Sequence, residues 1–136
     1  MDIRKFSVEE TTLLHLRDTN DELMYADGDT KKPMTVTVFG PGSKAYAKAA
    51  SKNQNRMIDK LKKKGKTEQT AEAKALENAE FLTDCTKGME NIDYDKLAGE
   101  DLYRAIYADT SIGFIAEQVG KHIGDWANFT KASAKT

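Results

Sequence analysis

Few side chains in this 136-residue chain could carry out acid–base or nucleophilic chemistry. His15 and His122 are its two histidines, and each has an ordinary structural explanation. His15 alternates with Leu14 and Leu16 on a predicted strand, and His122 lies beside the apolar row of the last predicted helix. Cys85 falls in an inner helical row, which is typical of a small buried apolar group. The sequence therefore predicts a protein that is not an enzyme and uses no cofactor.

Three other patterns fall short of ligand sites. Asp93 and Asp95 lie near Glu90 and could attract a divalent cation, but they lack the downstream glycine and bidentate glutamate of an EF-hand. One cysteine and two distant histidines do not form a zinc set. The stretch Gly40-Pro41-Gly42-Ser43-Lys44 has one residue between its glycines, where a phosphate loop requires four. We therefore predict no metal site and no phosphate site.

The charge of the chain is sorted into two opposed blocks. Residues 44–66 hold one anion, Asp59, and nine cations, so the block is +8. Residues 67–101 hold ten carboxylates and three lysines, so the block is −7. The nine cations are Lys44, Lys48, Lys52, Arg56, Lys60, Lys62, Lys63, Lys64 and Lys66.

Three interpretations of the basic block remain open: a solvated helix face, contact with an acidic protein surface, and contact with nucleic acid. Few aromatic residues accompany the cations, and the chain's pI of 6.1 argues against a dedicated nucleic-acid binder. The acidic block, in the same molecule or a neighbour, is the obvious partner. The residues predicted to bind a partner here are Lys48, Lys52, Arg56, Glu72, Glu77 and Glu80.

Residues 1–40 are predicted to be rich in β-structure. Residues 11–16, 23–26 and 34–39 show β-branched composition or alternation, and Leu14 with Leu16 should share one face. Polar turn residues at 18–21 separate the first two segments. We expect these three strands to form a small antiparallel meander.

Residues 41–129 are predicted to be helical. Ser43 should cap a helix that runs to about Lys64, and Gly65 should end it. Its expected inner face comprises Tyr46, Ala50, Asn53, Met57 and Leu61. Thr67 should cap a second helix, with the inner row Leu76, Ala79, Leu82, Cys85 and Met89. A polar loop follows at 90–98, and then a short helix at about 100–108 with Leu102, Ile106, Tyr103 and Tyr107 inward.

The last helix should begin at Thr110 or Ser111 and carry the clearest apolar row of the chain. That row comprises Ile112, Ile115, Val119, Ile123, Trp126 and Phe129. Gly120 and Gly124 weaken the helix by ~1 kcal/mol each relative to alanine. Trp126 and Phe129 lie beyond these glycines, so we predict that both anchor a partner interface. Residues 130–136 should fray.

These elements predict one α+β domain spanning residues 1–136, with a small antiparallel β-meander followed by about four helices. One cysteine excludes an internal disulfide framework. No signal-peptide core and no apolar run of the ~20 residues that cross a membrane are present. We therefore expect a cytoplasmic protein with no membrane partner.

The order of these segments resembles tail assembly chaperones of long-tailed bacteriophages. The resemblance begins with short strands, then Val38-Phe39-Gly40-Pro41-Gly42-Ser43-Lys44-Ala45-Tyr46 and a lysine-rich helix containing Gln54-Asn55-Arg56. It continues through Glu80-Phe81-Leu82, Asn91-Ile92, Leu102-Tyr103, Ile115-Ala116-Glu117-Gln118-Val119 and Asn128-Phe129. It covers roughly residues 11–131 and consists of dispersed small motifs.

The resemblance implies a non-enzymatic protein of the host cytoplasm, encoded between the tail tube protein and the tape measure protein. Such proteins coat the long helical tape measure until tube subunits polymerise around it, and they often self-associate. The implied partners are the tape measure protein, further copies of this chain and the tail tube protein. Two alternatives stay open: a minor structural protein of the virion, such as a neck or tail adaptor, and a nucleic-acid-binding accessory protein.

Overall fold

A computed structural model describes residues 2–64 and 71–130, without the side chains of 60, 61, 63, 64, 71 and 72. The strands are β1 (Thr11–His15), β2 (Thr35–Phe39) and β3 (Thr86–Glu90). The α-helices are α1 (Lys44–Lys64), α2 (Ala71–Asp84), α3 (Gly99–Ala108) and α4 (Gly113–Ile123). Short 3-10 turns cover Ile3–Phe6, Ala26–Gly28, Thr110–Ile112 and Trp126–Phe129. The predicted α+β class, with a small antiparallel sheet and four helices, is confirmed.

The sheet has the order β1-β2-β3, and both pairings are antiparallel. Thr11 lies opposite Phe39 at one end of the first pairing. Val36 and Val38 of β2 are fully buried, as the alternation predicted. Leu16, just beyond β1, is also fully buried. One face of the sheet therefore contributes β-branched and leucine side chains to the core.

Two strands of the predicted meander, 11–16 and 34–39, correspond to β1 and β2, but the third was taken from the wrong segment. Residues 23–26, predicted as the return strand, form only isolated bridges within the connection from β1 to β2. Asp21 and Asp27 adopt positive φ (63° and 55°) on either side of this segment, which limits the length of extended chain between them. The third strand is β3, which occupies residues predicted as the end of the second helix and the start of a loop. Its backbone pairs with the free side of β2, a long-range partner that local periodicity cannot reveal.

The first helix begins as predicted. The Ser43 hydroxyl accepts a hydrogen bond from the Tyr46 backbone N–H (3.1 Å) and donates one to the Gly40 carbonyl (2.8 Å). Of the predicted inner face, Tyr46 packs against the core, whereas Ala50 and Asn53 are only partly buried and the buried residue is Ala49. Met57 is 49% exposed, so its assignment to the core was wrong. The expected roles of Leu61, Gly65 and Thr67 fall outside the described residues.

The second helix contributes a shorter inner row than predicted. Ala79, Leu82 and Cys85 are buried, in agreement with the prediction. Leu76 is 58% exposed, which contradicts it. Met89 packs against the core from β3, not from a helix.

The two C-terminal helices close the core. On α3, Leu102, Ile106 and Tyr107 are buried. The Tyr107 hydroxyl lies 2.7 Å from the Thr86 hydroxyl, which itself donates to the Leu82 carbonyl (2.8 Å). This chain of hydrogen bonds satisfies buried polar groups where α2, β3 and α3 meet.

The last helix is shorter than predicted at both ends. Asp109, not Thr110 or Ser111, caps the 3-10 turn before α4 by accepting from the Ser111 N–H (2.9 Å). Helix α4 ends at Ile123, and Gly124 follows it. Asp125 then caps a separate turn, Trp126–Phe129, by accepting from the Ala127 N–H (3.0 Å). Of the predicted frayed tail, residues 130–136, all but Thr130 lie outside the described residues.

Phe129 packs the C-terminal turn against the segments around Glu9 and Gly40. Its side chain is fully buried, and its carbonyl accepts a hydrogen bond from the Glu9 N–H (2.7 Å). The ring lies directly on Gly40, because a Cβ added there would stand 2.3 Å from Phe129 Cδ2. Gly40 is therefore required for close approach of the ring to the backbone.

Both ends of edge strand β1 are held by the C-terminal part of the chain. At one end, the Phe129 carbonyl binds Glu9. At the other end, the Gln118 side-chain amide accepts from the Arg17 N–H (2.7 Å) and donates to the Arg17 carbonyl (2.6 Å). Gln118 thus makes at Arg17 the two hydrogen bonds that a neighbouring strand would make.

Candidate partner-binding surface

The histidines and the cysteine occupy structural positions. His15 Nε2 lies 2.8 Å from the Met24 carbonyl, so this nitrogen donates, and the ring stands edge-on to Tyr25 at 4.9 Å. Cys85 is fully buried, and burial raises the pKa of its thiol to about 12. A thiol in such surroundings stays protonated and is a poor nucleophile.

His122 lies in a half-buried position between the sheet and the C-terminal turn. Its Nε2 lies 2.6 Å from the Thr12 hydroxyl, and its ring is tilted against Phe129 at 5.6 Å. Burial lowers the pKa of His122, and the nearby charge of Asp125 partly opposes this shift. The folded state therefore favours the neutral form of the His122 imidazole.

Residues 2–64 and 71–130 form neither a metal-binding cluster nor a membrane-spanning helix. Across these residues no three or more His, Cys, Asp or Glu side chains cluster in a way that could hold a metal ion. Over the same ranges, no helix combines the length and the apolar character needed to cross a membrane.

An apolar depression of the described surface lies between α1 and α2. We call it the hairpin groove, and define it by the six residues that line it: Arg56, Asp59, Ala73, Leu76, Glu77 and Glu80. Its volume is about 310 Å³. Elsewhere on α1, Met57 and Ile58 are 49% and 41% exposed, and Met57 lines a separate depression together with Asn53 and Phe81. An apolar depression rimmed by charged side chains is typical of an interaction site.

Charged groups line the hairpin groove on both sides. Arg56 comes from α1, and its Nε is buried with no hydrogen-bond partner among the described residues. Its Nη2 lies 3.5 Å from the Asn53 side-chain oxygen. On the α2 side, Glu80 accepts from Arg104 Nε at 2.5 Å. Glu80 is therefore engaged by α3, whereas Arg56 retains donor capacity for a partner.

The predicted basic residues are not neutralised by the acidic helix beside them. Lys48 and Lys52 are exposed on α1 and border a second depression of about 280 Å³ that also includes Asp84 and Glu100. Among the described residues, no ion pair joins Lys48, Lys52 or Arg56 to a carboxylate of α2. The structure thus brings the two charge blocks onto adjacent helices without pairing these three cations. The side chain of Glu72, the remaining predicted residue, is outside the described part.

The two predicted aromatic anchors have different environments. Trp126 is 57% exposed and passes close to Gly42, where an added Cβ would lie 3.5 Å from the indole. Phe129 is fully buried, so its assignment to an interface was wrong. The reason is that the helix ends at Ile123, which lets the chain turn and direct Phe129 onto Gly40.

The sequence-based prediction placed two exposed apolar residues, Met57 and Leu76, in the core. Met57 lies eight residues after buried Ala49, which is about 80° away around the helix. Leu76, which lines the groove, lies three residues before buried Ala79, about 60° away. Their offset from the buried row is the signal that could have identified these positions as exposed.

Comparisons with known proteins find no match to this chain. The chain matches no family model, no curated protein and no solved structure.

Proposed function

We propose that this chain is a tail assembly chaperone of a long-tailed bacteriophage, acting in the host cytoplasm. It binds the tape measure protein and keeps it soluble until the tail tube polymerises. The observation that supports this function best is the hairpin groove, an apolar depression between two neighbouring helices in which Leu76 is 58% exposed. The family itself is proposed on the sequence resemblance described above.

The shape of the groove suits a helical ligand. A third helix can lie against a helix pair by placing an apolar stripe between them, at interaxial distances of about 8–10 Å. Amphipathic helices bind such grooves through apolar residues three and four positions apart. A long helical tape measure would offer this stripe repeatedly along its length, so many copies of a small chaperone could cover it.

The chemistry of the groove suits a temporary complex. Its apolar floor is small, and charged side chains from both helices surround it. Exposed charge pairs contribute little affinity and weaken as salt screens them. A tube subunit that offers the tape measure a larger apolar contact can then displace the chaperone.

The test is co-expression of the full chain with the tape measure protein of the same phage. The wild-type chain should retain the tape measure protein in the soluble fraction and co-purify with it. Leu76→Asp should reduce co-purification by at least about tenfold, because it places a charge on the groove floor. Leu97→Asp is the matched control, since Leu97 is also exposed (40%) but does not line the groove. If Leu76→Asp binds as well as Leu97→Asp, this surface is not the binding site.

A second measurement separates the proposal from the structural-protein alternative. A chaperone leaves before the tail is complete, so purified virions should lack this chain. Its stoichiometric presence in virions would contradict the proposed function.

A further inference from the structure

The outward side of α1 forms a basic surface of its own. At about 100° per residue, a sector of about 100° around this helix lies opposite the side on which Tyr46 packs against the core and Ala49 is buried. Every side chain in that sector is exposed, and Asp59 is the one residue that it shares with the hairpin groove. We call the sector the outer face, and define it by Lys44, Lys48, Ser51, Lys52, Asn55, Asp59 and Lys62.

The cations of the outer face are not neutralised within the molecule. Four lysines and Asp59 give it a net charge of +3. At about 1.5 Å per residue, it extends for about 27 Å from Lys44 to Lys62. Among the described residues, no ion pair joins any of the four lysines to a carboxylate. Asp84 and Glu100 lie in the same depression as two of the lysines without pairing with them. The four ammonium groups are therefore available to an anionic ligand.

The composition of the outer face favours nucleic acid over an acidic protein surface. Interfaces between proteins are depleted in lysine and are centred on apolar or aromatic anchors. The outer face includes no apolar residue, and its uncharged members are Ser51 and Asn55. Lysines accompanied by hydroxyl and amide donors are the side chains that contact phosphate oxygens in complexes with nucleic acids.

We propose that the outer face of α1 binds the phosphate backbone of double-stranded nucleic acid without reading the base sequence. Proteins that bind single strands supply aromatic side chains on which the bases stack. The one aromatic residue of α1, Tyr46, packs against the core and stands edge-on to Phe81 at 5.8 Å. The outer face therefore offers contacts to a backbone and no platform for unstacked bases.

The net charge of −1 on the whole chain is compatible with this binding. Salt screens exposed charges beyond about 8 Å at physiological ionic strength, so the lysines that touch the phosphates contribute more than distant carboxylates. On the neighbouring helix, Glu80 is engaged by Arg104. Binding that depends on a few phosphate contacts is weak and non-specific, with a Kd of about 10⁻⁴–10⁻⁶ M at physiological salt.

The test is fluorescence anisotropy of the full chain with a labelled DNA duplex of about 20 base pairs, which carries one negative charge per ~1.7 Å of its axis. Each phosphate contact contributes about −0.9 to the slope of log Kobs against log salt concentration, so four lysines predict a slope of about −3.6. Lys48→Gln with Lys52→Gln should reduce the slope to about −1.8 and weaken binding at least about tenfold at about 0.1 M salt.

The matched control is Lys31→Gln with Lys32→Gln, which removes two exposed lysines from the connection between β1 and β2. This variant should bind the duplex like the wild type. Circular dichroism confirms that both double variants are folded. Equal losses of affinity in the two variants would overturn the assignment to α1.

The choice of ligand is tested with the same assay. The proposal fails if the wild-type chain does not bind the duplex below about 10⁻³ M protein at about 0.05 M salt. It also fails if a labelled single strand of the same length binds more tightly than the duplex. Displacement of the duplex by poly-glutamate as effectively as by unlabelled duplex would instead assign the outer face to acidic proteins. Since no tape measure protein is present, each of these results is independent of the co-expression test.

Discussion

Replacing Gly40 with alanine tests the contact that locks the C-terminus of the chain onto the sheet. The new Cβ would stand 2.3 Å from Cδ2, 2.4 Å from Cε2 and 2.6 Å from Cγ of Phe129. These three atoms cannot move independently, because they belong to an aromatic ring that is fully buried. The ring must therefore move as a whole, or the backbone near residue 40 must shift.

Two limits define the size of the effect. Overpacking a core by one carbon costs about 1–3 kcal/mol. If the ring is expelled altogether, the loss approaches the about 3–5 kcal/mol of a Phe→Ala substitution. We expect Gly40→Ala to lower the free energy of unfolding by about 2–4 kcal/mol, since the backbone contact at Glu9 also holds Phe129 in place. At about 4 °C per kcal/mol for a chain of this length, the melting temperature should fall by roughly 8–16 °C.

Thermal and urea unfolding of matched glycine variants would check this value. Gly120→Ala is the control: Gly120 lies within α4, and an added Cβ meets nothing within 4 Å. It should stabilise the protein by up to about 1 kcal/mol, because alanine favours helix. The double variant of Gly40→Ala and Phe129→Ala should be scarcely less stable than Phe129→Ala alone. Equal melting temperatures for the two glycine variants, or additive effects in the double variant, would refute the proposed contact.

Three further predictions concern single side chains. Val119→Ala should lower the free energy of unfolding by about 1–4 kcal/mol because Val119 is fully buried. Trp126→Ala, at an exposed position, should change it by less than about 1 kcal/mol. Chemical denaturation measures both values, and equal losses would place the indole in the core. Stability should fall as the pH drops below the unfolded pKa of His122, 6.5, since the native state favours the neutral imidazole and the unfolded chain binds the proton more readily. In His122→Gln this contribution should vanish from urea titrations between pH 7.5 and 5 (about one unit around the ordinary value). Cys85 should resist thiol reagents at pH 8 (near the ordinary thiol pKa of about 8.5) until the protein unfolds, and rapid labelling of native protein would contradict its burial.

Much of the fold could be predicted because its signals are local. The alternation around Val36 and Val38 predicted a strand, and both side chains are buried. Ser43 predicted a helix start, and its hydroxyl forms the capping hydrogen bond. The apolar spacing of Leu102 and Ile106 predicted the buried face of α3. In each case a few neighbouring residues determine the conformation.

The structural predictions failed where residues far apart in the sequence determine the local conformation. Residues 86–90 form a strand because they pair with the free edge of β2. No pattern within residues 86–90 predicts this pairing. Met57 and Leu76 were placed in the core because periodicity shows that a residue is apolar, not whether another element covers it. Phe129 continued the spacing of the last helix, but Gly124 ends the regular row and the chain turns.

The hydrogen bonds that hold the ends of β1 have a consequence for synthesis of the chain. A strand at a sheet edge can add a strand from another molecule, and here Gln118 and Phe129 occupy the positions next to it at Arg17 and Glu9. Gln118 is 101 residues away from Arg17 along the chain. At about 5–20 residues per second, the ribosome supplies it roughly 5–20 s after Arg17. Until α4 and Phe129 dock, these two positions of the nascent chain are open to a strand from another molecule.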